Sequence, residues 1–254
     1  MNHPKAIVHL DRLARNYKIL SNSVNGKRLM AVVKANAYGH GAIECSKTLE
    51  DQGCDFFSVF TVEEAKELRN AGLKSDILIL SKLEKESIQT AIDNDLIVNI
   101  SSIDDLDSII FYLEKNGLSP RFHMKIETGM NRLGFDLSDI SLAIGKLLDY
   151  KNLNCEGIYT HYATSDEGDL SYAHLQQERF EQALEIANEM GYTFKYKHIS
   201  NSGGLLNELS SNTNLLRLGI LLYGIYPSKD VEEKYVLEPV LEFKAPIVDY
   251  RKTQ

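Results

Sequence analysis

Residues 56–72 read Phe56-Phe-Ser-Val-Phe60-Thr61-Val-Glu-Glu-Ala-Lys-Glu-Leu-Arg-Asn-Ala-Gly72, an apolar run followed at once by an amphipathic one. The first five residues are aromatic or β-branched apart from one serine, which is typical of a buried strand. From Thr61 the pattern predicts a helix, because a polar cap precedes early acids and a late arginine, the order that the helix dipole favours. Gly72 is a typical helix stop. The stretch therefore predicts a strand joined to a helix.

The same strand–helix unit recurs along the chain. Helical patterns cover Ser102–Asn116 and Leu170–Met190, each followed by a glycine. Eight apolar runs predict strands, at Leu29–Val33, Phe56–Phe60, Ile77–Leu80, Leu96–Ile100, Phe122–Ile126, Gly157–Thr160, Tyr196–Ile199 and Leu215–Leu218. Strands that alternate with helices predict a parallel sheet. Eight units fit a TIM (β/α)8 barrel, which typically takes about 250 residues, and we expect residues 1–228 to form it.

The character of the sequence changes after Pro227. Ser228–Tyr235 is polar and charged, and Val236–Arg251 holds two prolines and alternating polarity. That pattern is typical of an edge or antiparallel strand. We expect residues 229–254 to be a linker and the first strand, without a partner, of a β-rich second domain that is otherwise absent. The chain would then be a fragment of a longer protein.

The composition excludes some classes of protein. The chain has 28 Lys+Arg against 36 Asp+Glu, a formal charge of −8, and an acidic chain repels nucleic-acid phosphates, so we expect no nucleic-acid partner. The first residues lack a signal-peptide pattern, and no stretch reaches the roughly 18 apolar residues of a membrane span. We therefore expect a cytoplasmic protein without a membrane partner. The three cysteines lack a CxxC motif and are predicted to be reduced thiols.

The candidate site residues follow the predicted strands, because TIM barrels place their active sites at the strands' C-terminal ends. Lys34 directly follows buried valines; desolvation lowers the pKa of a lysine amine, and a neutral amine can form a Schiff base with an aldehyde. A lysine that reaches outward from a strand end is the alternative. Lys125 and Glu127 are expected on one face of the fifth strand. Arg132, just beyond, suits the capture of a carboxylate or phosphate, or else a surface ion-pair network.

Small and polar residues follow the last two strands, in His198-Ile-Ser-Asn-Ser202-Gly-Gly204 and Arg217-Leu-Gly219-Ile220. Backbone amides in such loops can point at an anion, and phosphate sites of this fold often use the loops after strands seven and eight. These loops therefore predict a phosphate cradle. No HxxxH, HExxH or clustered acidic pattern indicates a metal site, and neither GxGxxG nor GxxxxGK[ST] is present.

Five motifs in this order resemble those of the alanine racemase family. They are AVVKANAYGHGA at 31–42, KIETGMNRLGF at 125–135, GIYTHYATSD at 157–166, HISNSGG at 198–204 and RLGILLYGIYPS at 217–228. The resemblance spans about Ala6 to Arg251. The sequence departs from the family at Glu127, where aspartate is common, and at Gly203 and Gly204, where alanines are common.

The resemblance implies an enzyme dependent on pyridoxal 5'-phosphate that interconverts L- and D-alanine and supplies D-alanine for peptidoglycan. It implies that Lys34 forms the Schiff base with the cofactor and is one of two proton-transfer bases. It also implies that the cofactor phosphate is bound by Tyr38, Ser202, Gly219 and Ile220, that His161 stacks on the pyridine ring, and that Arg217, supported by His198, bonds to the pyridine nitrogen. Arg132 and the Met130 backbone would bind the substrate. Lys125, which is often carbamylated in the family, would orient Arg132.

Arg217 at the pyridine nitrogen has a physical consequence of its own. A guanidinium only donates hydrogen bonds and keeps its protons. It should therefore leave the pyridine nitrogen unprotonated and the ring a weaker electron sink. This disfavours transamination and suits racemisation, in which one base removes the Cα proton and an acid on the opposite face returns it.

The resemblance also implies that part of the chemistry lies outside this chain. Family members carry a second domain that donates the opposite-face tyrosine across a homodimer, and none of the 13 tyrosines matches its motif. The chain alone is therefore expected to be weakly active or inactive. The alternatives are a racemase of serine or another small amino acid, a non-enzymatic single-domain pyridoxal-phosphate carrier, and an amino-acid decarboxylase of the same fold.

Overall fold

The computed structural model describes residues 3–24, 26–209 and 212–251. After a short first strand, β1 (Lys5–Val8), eight strands form one parallel sheet: β2 (Arg28–Val32), β3 (Phe56–Val59), β4 (Asp76–Ile79), β5 (Ile97–Ile100), β6 (Arg121–Lys125), β7 (Asn154–Tyr159), β8 (Tyr196–His198) and β9 (Leu215–Leu218). Their order is β8-β7-β6-β5-β4-β3-β2-β9. The Arg217 amide donates to the Ser200 carbonyl at 3.0 Å, which brings β9 against the end of β8. The predicted TIM barrel is confirmed, and each predicted strand overlaps an observed one.

Helices connect the strands. They are α1 (Leu10–Ser23), α2 (Lys34–Tyr38), α3 (Ala42–Asp51), α4 (Val62–Asn70), α5 (Ile88–Asp93), α6 (Ile103–Asn116), α7 (Ile140–Asp149), α8 (Ser171–Glu189) and α9 (Ser202–Leu206). The helix predicted after Thr61 is α4, and Thr61 caps it in a box with Glu64, in which each side chain accepts the other residue's amide. Among the described residues, no helix is both long and apolar enough to cross a membrane.

The barrel interior is apolar at one end and polar at the other. Six strands each contribute one buried side chain to an apolar plug, namely Met30, Phe56, Leu78, Ile97, Tyr196 and Leu215. Further along β5, β8 and β9 the buried side chains are polar, namely Asn99, His198 and Arg217. The plug therefore closes the N-terminal end, and the polar side chains stand at the C-terminal end where barrel sites lie. The three cysteines are free thiols, as predicted.

The C-terminal strand has a partner, which the sequence did not predict. Strand β10 (Leu241–Lys244) pairs antiparallel with β1, Val8 opposite Leu241. The expected antiparallel strand is therefore confirmed, but it is shorter than Val236–Arg251, and the expectation that it lacks a partner was wrong. The segment before it is tied to the barrel, because the Asn16 side chain donates to the carbonyls of Leu222 at 3.0 Å and Glu238 at 2.8 Å.

Candidate active site

A cavity of about 490 Å³ opens at the C-terminal ends of the barrel strands. Nine of the eleven predicted site residues line it, namely Lys34, Tyr38, Lys125, Arg132, His161, Ser202, Arg217, Gly219 and Ile220. Of the other two, Met130 lies on the loop of Arg132 without lining the cavity, and His198 is fully buried behind Arg217. The barrel thus brings together residues that are up to 186 positions apart in the sequence.

Lys34 stands at the start of an unusual turn. Residues 35–38, none of them glycine, all have φ between 51° and 53°, so α2 is left-handed. This hand costs about 1–2 kcal/mol per residue, and the surrounding contacts must offset that cost. The Asn36 side chain accepts the Ala42 amide at 2.8 Å, and the Glu64 carboxylate accepts the Ala35 amide at 2.7 Å. The turn carries Lys34 and Tyr38 to the same cavity.

Two lysines at the cavity have lowered pKa values, which brings each closer to its neutral form. Burial, followed by the positive charge of Arg132, lowers the pKa of Lys34. The same two causes lower the pKa of Lys125, which is only 5% exposed, to about 8. A neutral amine is nucleophilic. The predicted alternative, in which Lys34 points outward from its strand, does not apply, since Lys34 lines the cavity.

Arg217 is held by a dense set of acceptors. Its Nη2 donates to the carbonyls of Thr160 at 2.6 Å and Ile199 at 3.0 Å, and its Nη1 lies 2.7 Å from Nδ1 of His198. Burial lowers the pKa of Arg217 to about 10, so the side chain stays charged at neutral pH. Nη2 also lies 3.2 Å from Nδ1 of His161. Burial and the charge of Arg217 lower the pKa of His161 well below its usual range, so this imidazole is neutral.

Glycines make room at the end of the cavity near α9. A Cβ on Gly219 would lie 2.8 Å from the Tyr38 hydroxyl, and one on Gly203 would lie 2.8 Å from Ser165. The Asn201 side chain caps α9 by accepting the Gly204 amide at 2.9 Å. The first amides of a helix lack carbonyl partners within the helix. The result is a concave lining of small residues, amides and hydroxyls.

The loop after β6 differs from its prediction in one respect. Strand β6 ends at Lys125, and Glu127 turns back to its own loop, where its carboxylate accepts the amides of Gly129 at 2.5 Å and Arg132 at 3.1 Å. Glu127 therefore lies beyond the end of β6, whereas the sequence predicted it on the strand together with Lys125. No described carboxylate lies within 4.0 Å of the Arg132 guanidinium, so the ion-pair alternative is not seen either.

The lining residues fit pyridoxal phosphate. Lys34, Lys125, Arg132 and Arg217 bring positive charge, and Asp166 is the one acid among the described lining residues. Such a cavity favours an anion. The Lys34 amine, with its lowered pKa, suits the aldehyde of this cofactor, the buried Arg217 guanidinium suits its ring nitrogen, and the glycine-lined cradle suits its phosphate. Among the described residues, no three His, Cys, Asp or Glu side chains come together in a group that could hold a metal.

Sequence reasoning missed a buried glutamine on α8. Gln176 is fully buried and donates to the His161 carbonyl at 3.0 Å and the Thr128 hydroxyl at 3.3 Å, while its oxygen accepts the Ala163 amide at 2.8 Å. It therefore joins the loops that follow β6 and β7. A signal was available, because Gln176 occupies a position of the apolar stripe that also contains Ala173 and Phe180.

Comparisons with known proteins agree with this geometry. Residues 8–227 match the family model described as "Alanine racemase, N-terminal domain". Alanine racemase of Methanococcus maripaludis is 38% identical over 248 residues, covering 96% of this chain and 66% of that protein. That of Desulforamulus reducens is 36% identical over 250 residues, covering 97% of this chain and 68% of that protein. The chain thus spans about two thirds of the length of these curated relatives.

Solved structures give the same result. Alanine racemase of Clostridium difficile 630 superposes with a TM-score of 0.90 at 31% identity, covering 96% of this chain and 65% of that one. The structure of that protein in complex with cycloserine has a TM-score of 0.92 at 31% identity and covers 98% of this chain and 69% of that one. A Bacillus anthracis alanine racemase with bound L-Ala-P has a TM-score of 0.87 at 30% identity, covering 96% and 64%.

Proposed function

The chain belongs to the alanine racemase family, and from this premise we propose that it is the pyridoxal-phosphate-binding barrel of an enzyme that interconverts L- and D-alanine. The observation that carries the proposal is the meeting of Lys34, Arg217 and the Gly219 cradle in one electropositive cavity. The names of the relatives support alanine as the substrate. Serine or another small amino acid differs too little in size to be excluded by binding alone.

Each cofactor group has a residue suited to it. Lys34 would hold the cofactor covalently, with Tyr38, Ser202, Gly219 and Ile220 at the phosphate and His161 against the ring. Pyridoxal phosphate, when bound, supplies the electron-withdrawing ring that makes the Cα proton of an amino acid acidic. Arg217 would donate to the ring nitrogen. Because Arg217 stays charged and cannot accept a proton, this nitrogen would remain unprotonated, which favours racemisation over transamination.

Lys34 then acts as a base. Its amine, whose pKa is lowered by burial and by Arg132, would take the Cα proton on its own face of the substrate and return it in the reverse direction. The proton on the opposite face needs a second group, which we place in a second domain of the partner subunit of a homodimer. D-Alanine made in this way would serve peptidoglycan synthesis.

Arg132 and the Met130 backbone would bind the substrate carboxylate. The orientation of Arg132 would depend on Lys125. With a pKa of about 8, the Lys125 amine is neutral often enough to attack carbon dioxide, losing one proton and forming a carbamate. The negative charge of that carbamate would bind the Arg132 guanidinium.

The test begins with the 254-residue chain and pyridoxal phosphate. We expect a visible absorption band that borohydride removes, present in the unaltered chain and in the exposed-site control Lys66→Ala, and absent in Lys34→Ala. A band that persists in Lys34→Ala would refute the assignment of the lysine. A protein that carries this barrel together with such a second domain should interconvert the alanine enantiomers. Carbon dioxide release instead would indicate a decarboxylase, and cofactor binding without turnover a carrier. Near-full activity of the 254-residue chain alone would refute the placement of the second base.

A further inference from the structure

We propose that His123 is a positioning residue for Arg217, acting through His198 as the third member of a buried hydrogen-bond chain. The significance for racemisation rests on the proposed function, but the chain of hydrogen bonds does not. His123 lies on β6 and His198 on β8, 75 residues later, and their Nδ1 and Nε2 atoms are 2.9 Å apart. Both side chains are fully buried in the barrel interior.

The direction of each hydrogen bond follows from Arg217. A guanidinium has donors only, so Nδ1 of His198, 2.7 Å from Nη1, must be the acceptor. The remaining proton of the neutral His198 ring then sits on Nε2 and is donated to Nδ1 of His123. His123 in turn carries its proton on Nε2. One tautomer of each histidine is therefore dictated by the charged residue at the cavity.

Both histidines are neutral, as the hydrogen bonds between Arg217, His198 and His123 require. Burial, together with the charges of Arg121 and Arg217, lowers the pKa of His123 to about 3. Burial and Arg217 likewise lower the pKa of His198 well below its usual range. A second proton on His198 would place an N–H against the guanidinium, which the geometry around Nη1 forbids. The Tyr159 ring also fixes the plane of His198, since the two are parallel with centroids 4.7 Å apart.

Two features of the neighbouring strand β7 make room for the His123 ring, independently of its hydrogen bond to His198. The pairing of β6 with β7 shifts register between Phe122 and His123, and the extra residue on β7 brings Gly157 opposite His123. Gly157 of β7 faces the imidazole, and a Cβ there would lie 2.8 Å from three of its ring carbons. The barrel therefore reserves a space in which a ring at position 123 fits only because residue 157 is glycine.

The second ring nitrogen of His123, Nε2, indicates that apolar packing does not explain a histidine at this position. Its Nε2 is buried and has no hydrogen-bond partner among the described residues. An unsatisfied buried donor is unfavourable, and a leucine would avoid it entirely. The rings of Phe56 and Tyr196 lie beside it, at centroid distances of 5.9 and 5.6 Å. What an apolar residue could not supply here is the acceptor Nδ1 that faces His198.

The first measurement is the tautomer of each histidine, by 15N NMR of the imidazole nitrogens in the cofactor-free chain. We expect both His123 and His198 to be neutral with the proton on Nε2. His123→Asn keeps an acceptor in the place of Nδ1 and should leave His198 in that state. His123→Leu removes the acceptor and should shift His198 to a mixture of tautomers. A proton on Nδ1 of His198 in the unaltered chain, or an unchanged His198 in the folded His123→Leu variant, would overturn the proposal.

The second measurement uses the chain loaded with pyridoxal phosphate and incubated with L-alanine. Transamination moves the amino group to the cofactor and releases pyruvate, so no outside oxidant is needed. We expect pyridoxamine phosphate to accumulate about tenfold faster in His123→Leu, and at the unaltered rate in His123→Asn. Equal rates in all three proteins would overturn the positioning role. Failure of the chain to bind the cofactor through Lys34 would instead count against the proposed function and leave the tautomer result intact.

Discussion

Lys125 is a buried cation whose cost to the fold can be measured. Its pKa falls from 10.5 to about 8 because of burial and of Arg132, which corresponds to about 3 kcal/mol. The unfolded chain therefore binds more protons than the native one between pH 8 and 10.5, and stability should rise with pH across that window. Below pH 8 both states carry the charge, and the full cost remains.

Lys125→Met should therefore stabilise the protein. We expect the free energy of unfolding at pH 7 to rise by about 1–3 kcal/mol, and its increase between pH 8 and 10 to become smaller, since the lowered pKa of Lys34 still contributes a rise of the same sign. Urea unfolding in buffer free of carbon dioxide measures both effects without carbamylation. Lys66→Met, at an exposed position of α4, should change neither. A less stable Lys125→Met protein would show that the amine is compensated in the native state.

Single residues at strand ends were predictable from the sequence, but the residues that orient them were not. Lys34 follows one apolar run and Lys125 stands near the end of another, and the barrel fixes where such positions lie. Glu64 and His123 matter through partners 29 and 75 residues away. Only the assembled barrel brings these pairs together. Gly157 stands opposite His123 because of a register shift in β7 that the sequence pattern did not predict.

At the scale of elements, Glu64 joins the left-handed α2 to the N-terminus of α4. Its carboxylate accepts the amides of Ala35 at 2.7 Å and Phe60 at 2.6 Å and completes the cap with Thr61. Glu64→Ala should lower the free energy of unfolding by about 1–2 kcal/mol, in the range of a lost helix cap. It should also weaken pyridoxal-phosphate affinity, because α2 carries Lys34.

The neighbouring Glu63, exposed in the first turn of the same helix, provides the control. Glu63→Ala removes an equal charge but neither contact, so we expect both quantities to stay near those of the unaltered chain. Thermal unfolding and a cofactor titration followed by absorbance measure the two effects. Equal losses in the two variants would mean that charge at the helix dipole, and not the tie to α2, is responsible.

The strand pair β1–β10 shows which elements could not be predicted from the sequence. The four residues Lys5–Val8 are too few to reveal a period, and their partner lies at the other end of the chain. By contrast, the barrel strands were predictable because their apolar runs alternate with helical patterns, two of which begin at the side-chain caps Thr61 and Ser102. The sequence did not predict that α2 is left-handed either, since Ala35 and Ala37 have no intrinsic preference for positive φ.

At the scale of the whole molecule, the barrel interior should make the protein sensitive to acid. Burial lowers the pKa of His123, His161 and His198 below the ordinary 6.5. In the unfolded chain these histidines take up protons near pH 6.5, whereas in the native barrel they do so only at lower pH. Stability that is full at neutral pH should therefore fall as the pH drops below 6.5, by up to about 1.4 kcal/mol per pH unit for each histidine.

Chemical unfolding at pH 7.0 and 5.5 isolates this effect, because most carboxylates keep their charge over that interval. His123→Asn should remove about one third of the difference in unfolding free energy between the two pH values, since one of the three contributing histidines is gone. His174→Asn, at an exposed position of α8, should leave the difference unchanged. If the unaltered protein were equally stable at both pH values, these histidines would have to find compensating partners when protonated. For His198 and His123, the hydrogen bonds directed from Arg217 leave no acceptor for such a proton.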